Sequence, residues 1–359
     1  MWKVQLLFEF VICLGNICYS FHTSFNLEDY SFNMKNYNQQ STIFNRRGTF
    51  FLDFSKILIC GGYNPDIGTC EVIDLESTST TCKSPANLPA KVYATVGGLQ
   101  FNENPIICGG RQNNISSNRC YSLENNNWVS SDSMNSVREF GAAARLQDGS
   151  LLVTGGYSGV GSAVLNSTEI LTEEGWKNKI PLHLGAIRYH CMVTVNSTTV
   201  MVIGGYQNGQ LSGKTFLYTF GEKSWIEGPD LKYKRQHHSC GKIKRDKDNQ
   251  EMSIIVAGGW DGSSKLVSVE ILDEDSNEWQ TGPELPCGIA ASQMVEDQNG
   301  GVILIGGTST PIGHLDTLYQ LLHRGLDAMW IKLEQKLSIG RYHHIAYLIP
   351  DQIVECSKM

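Results

Sequence analysis

Charge is scarce in this chain, and positive charge scarcer still. Of 359 residues, 29 are Lys or Arg and 36 are Asp or Glu, a formal net charge of −7. Charged residues make up 18%, against roughly 25% in an average globular protein. A protein that grips phosphate backbones needs a basic face to release counterions, so this balance argues against nucleic-acid binding. Beyond the first twenty residues no run approaches the roughly 18 apolar residues of a membrane-spanning helix. No cysteine pair has C-x-x-C spacing, which excludes the common zinc frameworks. What the chain has instead is glycine, 36 residues, about one in ten against a usual roughly 7%. Apolar residues reach 41%, enough for a core. Many glycines with few charges imply short strands and tight turns. Collagen-like and disordered classes fall away.

The first twenty residues read as a secretory signal peptide. Met1-Trp2-Lys3 is a short positive opening, Val4 to Ile17 is mostly apolar, and Cys18-Tyr19-Ser20 offers small residues for cleavage after Ser20. Residues 21–45 read as a poorly ordered arm. Asn-x-Ser/Thr acceptors at Asn114, Asn166 and Asn196 fit an exported, glycosylated product. Eleven cysteines leave nine once Cys13 and Cys18 go with the leader, so at least one lacks a partner within the chain.

A double glycine after a short apolar run recurs six times, beginning at Gly61, Gly109, Gly155, Gly204, Gly258 and Gly306. The spacings are 48, 46, 49, 54 and 48 residues. Trp128, Trp176, Trp225, Trp279 and Trp330 follow by 19 to 24 residues, and Cys82 holds that place in the first unit. A repeat of this period is one supersecondary unit that buries its faces against its neighbours. Each unit reads as four antiparallel strands. The run into Gly-Gly is buried on both faces because nothing alternates in it. The tryptophan is an apolar plug with an N–H to place.

These units resemble kelch repeats, most completely from Gly258-Gly259-Trp260 through Glu270 and Trp279 to Pro283. The resemblance covers about residues 46–359. It implies an all-β fold, a six-bladed β-propeller of four-stranded antiparallel blades. The favoured closure has the C-terminal run Gly340 to Ile349 completing the first blade. The alternatives are a seventh partial blade, or Thr49 to Phe54 as the first blade's own strand.

The resemblance also implies a binding face at one mouth of the ring. By position, the residues after Gly-Gly are Tyr63, Arg111, Tyr157, Tyr206 and Trp260, with Thr308 the odd one. The arginines opening the next first strand are Arg138, Arg188, Arg235 and Arg341, while Cys287 stands where a further one is expected. Arginine and aromatic residues in a concavity are the chemistry of a protein-binding hot spot. The competing expectation is that each arginine braces neighbouring loops. His190, His237, His238, His343 and His344 recur in the first strands. They read as packing residues lining the axis rather than as metal ligands.

Cys60 and Cys108 lie just before Gly-Gly, and Cys70 and Cys120 open the following strand. Antiparallel neighbours bring such side chains within bridging distance, giving Cys60–Cys70 and Cys108–Cys120, with Cys82 a competing partner for Cys70. Cys191, Cys240 and Cys287 read as buried free thiols. The basic stretch Lys242 to Asp248 reads as a solvated hairpin tip. The expected function is a secreted, monomeric, non-catalytic module binding an extracellular protein or glycan, without cofactor or metal. The runner-up is a carbohydrate-active enzyme of the sugar oxidase or sialic-acid epimerase type, using the same mouth.

Overall fold

The structure, a computed structural model, describes residues 6–14, 17–25, 53–64, 67–77, 80–183, 185–244, 252–274, 276–322 and 328–358. The chain divides into two bodies, Met1–Phe51 and Leu52–Met359. In the first, strands Leu6–Leu14 and Ile17–Phe25 pair antiparallel, Leu6 opposite Phe25. This hairpin covers most of the stretch read as a leader. Most of the arm expected at 21–45 lies outside the described residues, as does the tip of the basic hairpin, 245–251.

Among its described residues the second body is all β apart from short 3-10 turns. Each sequence repeat after the first makes one main antiparallel sheet. Ala142–Arg145, Leu151–Thr154, Thr168–Thr172 and Gly175–Lys179 pair in chain order, and the strand entering Gly-Gly is buried at every position. The first repeat is built differently. Its Lys56–Cys60 strand lies between Cys70–Asp74 and Ile345–Ile349 from the C-terminus, with Cys60 opposite Ile345. After a 3-10 turn at Asp351–Ile353, Cys356–Lys358 pairs with Thr80–Cys82.

Among the described residues, four cysteine pairs stand at bonding distance: Cys60–Cys70, Cys82–Cys356, Cys108–Cys120 and Cys191–Cys240. Cys82 therefore does not compete for Cys70. The expectation of free thiols at Cys191 and Cys240 is corrected. They occupy first strands of consecutive repeats, whose Cα atoms come within 6.1 Å. Cys287 is free.

Neighbouring sheets are latched by the glycines. At Gly155, with φ +58, a Cβ would sit 2.5 Å from the Ile187 carbonyl oxygen. Only glycine combines that backbone with that approach. The second glycine of each pair donates its N–H to the next sheet, at the carbonyls of Val92, Arg138, Ile187, Arg235, Ile289 and Arg341, over 2.7 to 2.9 Å. Two residues beyond each of these sits Ala94, Phe140, Tyr189, His237, Ala291 or His343, all at φ between 53° and 58°. Left-handed backbone is costly for such side chains, so the surroundings must impose it. They do so through a cycle. The Phe140 amide donates to Ala94, Tyr189 to Phe140, His237 to Tyr189, Ala291 to His237, His343 to Ala291, and Ala94 back to His343, at 2.8 to 3.0 Å.

Four of the five repeat tryptophans pin their sheet to the one before, while the Trp128 Nε1–H is buried without a hydrogen-bond partner. Trp176, Trp225, Trp279 and Trp330 donate Nε1–H to the carbonyls of Asp132, Ile180, Pro229 and Pro283.

Candidate functional site

One residue lies between each latch carbonyl and each left-handed residue: Tyr93, Glu139, Arg188, Gln236, Ala290 and Tyr342. Each is paired across the backbone with the residue after a Gly-Gly. The partners are Tyr93 with Arg111, Glu139 with Tyr157, Arg188 with Tyr206, Gln236 with Trp260, Ala290 with Thr308 and Tyr342 with Tyr63. These six pairs make up the face that the kelch resemblance implies as a mouth. The structure brings together Tyr63, Arg111, Tyr157, Arg188, Tyr206 and Trp260 from the sequence-derived set, and adds Tyr93, Glu139, Gln236 and Tyr342.

It does not bring Arg138, Arg235 or Arg341 there. All three are 0% exposed. Arg235 Nη2 donates to Glu270 Oε1 at 2.7 Å, and its Nη1 donates to the Gly258 and Ser268 carbonyls. Arg341 reaches Glu71 at 2.7 Å and the Gly61 carbonyl at 3.0 Å. Arg138 pairs in the same way with Glu169 and with Gly155. The reason is register. These arginines hold the latch position itself, one residue before the mouth position, and in extended chain one residue reverses the side chain's direction. The three sheets without such an arginine carry Val92, Ile187 and Ile289 there, facing Tyr121, Phe216 and Tyr319 where the others have glutamate. The expected further arginine at Cys287 is thus Ile289 by position.

Arg188 is the exception because it sits at the mouth position. Its guanidinium carbon lies 4.8 Å from the Tyr189 ring centre, 5.3 Å from that of Tyr157 and 5.4 Å from that of Tyr206. No carboxylate lies within ion-pair distance of it among the described residues. Stacking on tyrosine faces presents the fork while leaving its charge unneutralised. Arg111, with a 42% exposed side chain, lies 3.8 Å from Glu139 Oε2. Burial raises the Glu139 pKa, opposed by Arg111, by a hydrogen bond from Ser116 and by Arg188.

Below the mouth, Phe140, Tyr189, His237 and His343 crowd the axis, with ring centres 4.0 to 6.2 Å apart. Beneath them is a cavity of about 70 Å³ lined by His190, His238 and His344 among others. A far larger one, about 680 Å³, is lined by the distant ends of the same first strands, including Met192, Thr194, Lys242 and Glu296. The mouth residues do not line it. His190 and His238 turn their Nε2 atoms to Thr154 Oγ1 and the Ile203 carbonyl of the neighbouring sheet. Among the described residues, the one group of three His, Cys or acidic atoms close enough to share a metal is Asp74, Cys82 and Cys356, and its two sulfurs form a disulfide. Asn114, Asn166 and Asn196 are all exposed.

Residues 253–286 match the kelch motif. The fold is similar to a solved structure titled "Structure of YjhT", with a TM-score of 0.65 and 13% identity, over 79% of this chain and 95% of that one. The motif match and this likeness of fold support a kelch-repeat β-propeller family for the chain.

Proposed function

We propose that the chain is a closed six-bladed propeller that acts outside the cell as a recognition module, holding an acidic segment of a protein partner at its mouth. Closure is supported by the hydrogen-bond cycle through Ala94, Phe140, Tyr189, His237, Ala291 and His343, and by the pairing of Ile345–Ile349 with Lys56–Cys60. Export after a leader of 1–20, with the propeller spanning about 46–359, accords with the four disulfides among the described residues and three exposed acceptor asparagines. The observation that carries the binding role is Arg188, stacked on three tyrosines with its charge unpaired. A protein partner is favoured over a glycan by two hairpin tips beside Arg111 and Tyr157. Ile115 and Val160 are each 72% exposed there, and the tips touch where the Gly159 N–H meets Ser116 Oγ at 3.2 Å. Apolar contacts around a charged anchor are the make-up of a protein hot spot.

The test is capture from extracellular fluid by wild type and by Arg188→Ala, with both proteins checked for folding. The reading requires that the captured partner be lost from the variant alone. A second reading, an extracellular carbohydrate-active enzyme, is favoured by one observation: the mouth holds a buried carboxyl, Glu139, with a raised pKa. Turnover of an acidic or neutral sugar, abolished by Glu139→Gln, would establish it.

A further inference from the structure

Glu139 is held differently from the other buried glutamates. Glu169 and Glu270 are saturated by an arginine at hydrogen-bonding distance and by backbone amides. Glu139 is 2% exposed, yet its Oε2 accepts no hydrogen bond. Its nearest cation is Arg111 Nε at 3.8 Å, beyond hydrogen-bond range, and that Nε also points at the Asn114 carbonyl at 3.3 Å. The pair is loose. One partner is sealed in the protein and the other is open to solvent.

We propose that Glu139 is the mouth's resident counter-ion: it holds Arg111 in the free protein, and an acidic side chain of the partner takes Arg111 over on binding. This rests on the reading of the mouth as the binding face. Ion pairs within hydrogen-bond distance are much stronger than one at 3.8 Å, so a carboxylate arriving from solvent competes well for Arg111. Once Arg111 turns outward, Glu139 is a buried carboxylate that has lost its closest positive charge. It then takes a proton from solvent, because burial already favours the neutral acid and Arg111 was the largest opposing influence. Binding is therefore coupled to proton uptake, and a neutral ligand, which cannot compensate Arg111, is discriminated against.

The other groups around Glu139 do not supply this proton coupling. Ser116 does not titrate, and burial raises the Tyr189 pKa above its ordinary value of about 10. His237, beside Arg188, is pushed down to about 4 by burial and is neutral throughout the range used below.

The experiment is fluorescence anisotropy with a fluorescein-labelled hexaglutamate peptide on the full chain, from pH 5.5 to 8. Wild type should bind more tightly as pH falls. Glu139→Gln should bind roughly 5- to 10-fold more tightly at pH 7.4, with a flat pH profile, and Arg111→Ala should erase that gain. Calorimetry of wild type in two buffers of different ionisation enthalpy should show proton uptake at pH 7, a readout that does not depend on the variant folding. Glu139→Gln binding no better than wild type, or no proton uptake, overturns the proposal while loss of binding in Arg188→Ala leaves the mouth reading standing. Unaltered binding in Arg188→Ala overturns the mouth reading itself.

Discussion

Ile187 occupies in its repeat the place that Arg235 occupies in the next, since the carbonyl of each accepts the N–H of a second glycine, Gly156 and Gly205. One position carries two solutions. Arg235 goes with Glu270, and Ile187 goes with Phe216, both pairs buried. The alternation runs through the chain, with Arg–Glu in three sheets and an apolar–aromatic pair in the other three. A buried ion pair is not intrinsically better than well-packed apolar residues, but half of one is much worse than either.

Arg235→Ala should therefore cost about 3–5 kcal/mol of stability, because Glu270 is left buried without its charge partner. The double change Arg235→Ile with Glu270→Phe, copying Ile187 and Phe216, should recover most of that loss. Urea unfolding of the three proteins decides. A single mutant as stable as wild type would show that the brace contributes nothing.

Acid should weaken the fold through its histidines. Burial pushes His190 and His344 down to about 3 and His237 to about 4, while an unfolded histidine titrates near 6.5. Below about pH 6.5 the unfolded chain binds protons that the folded chain refuses. The stability these groups contribute is complete above that pH and is lost as pH falls toward their folded values. Urea midpoints should drop between pH 7.5 and pH 5, and a midpoint that rises over this interval would contradict the assignment.

The Cys82–Cys356 bridge joins residues 274 apart and fastens the C-terminal strand beside Thr80–Cys82. Its loss through Cys356→Ser should destabilise by roughly 2–4 kcal/mol, with early proteolysis near the C-terminus. Cys120→Ser opens a bridge spanning only 12 residues and should cost less. Equal melting temperatures for the two variants would mean that the long-range bridge does not secure the seam.

Much of this architecture was legible in the sequence because its cause is local. Gly-Gly is demanded wherever one sheet's backbone meets the next, so it recurs at every latch. The mouth was half legible. Tyr63, Arg111, Tyr157, Tyr206 and Trp260 follow Gly-Gly directly and were placed by counting. The arginines were misplaced because Arg188 was grouped with Arg138, Arg235 and Arg341. A signal was present: Arg235 and Arg341 stand three residues before His238 and His344, but Arg188 stands two before His190. Glu139, Gln236 and Tyr342 carry no such marker, being ordinary residues made special by the strand opposite. Cys191 and Cys240 were illegible as a pair because only the packing of successive sheets brings them together.

In the proposed binding role Arg188, alone among the four strand-leading arginines, faces the ligand. The direct measurement is the affinity of the hexaglutamate probe for wild type and for Arg188→Ala at pH 7.4 and 150 mM salt, with a thermal melt of each. Truncation should cost about 1–3 kcal/mol of binding, the scale of a charge-assisted contact at a hot spot. The melting temperature should move by no more than a few degrees, since the side chain braces no buried carboxylate. Unchanged affinity in a folded Arg188→Ala protein would contradict the account.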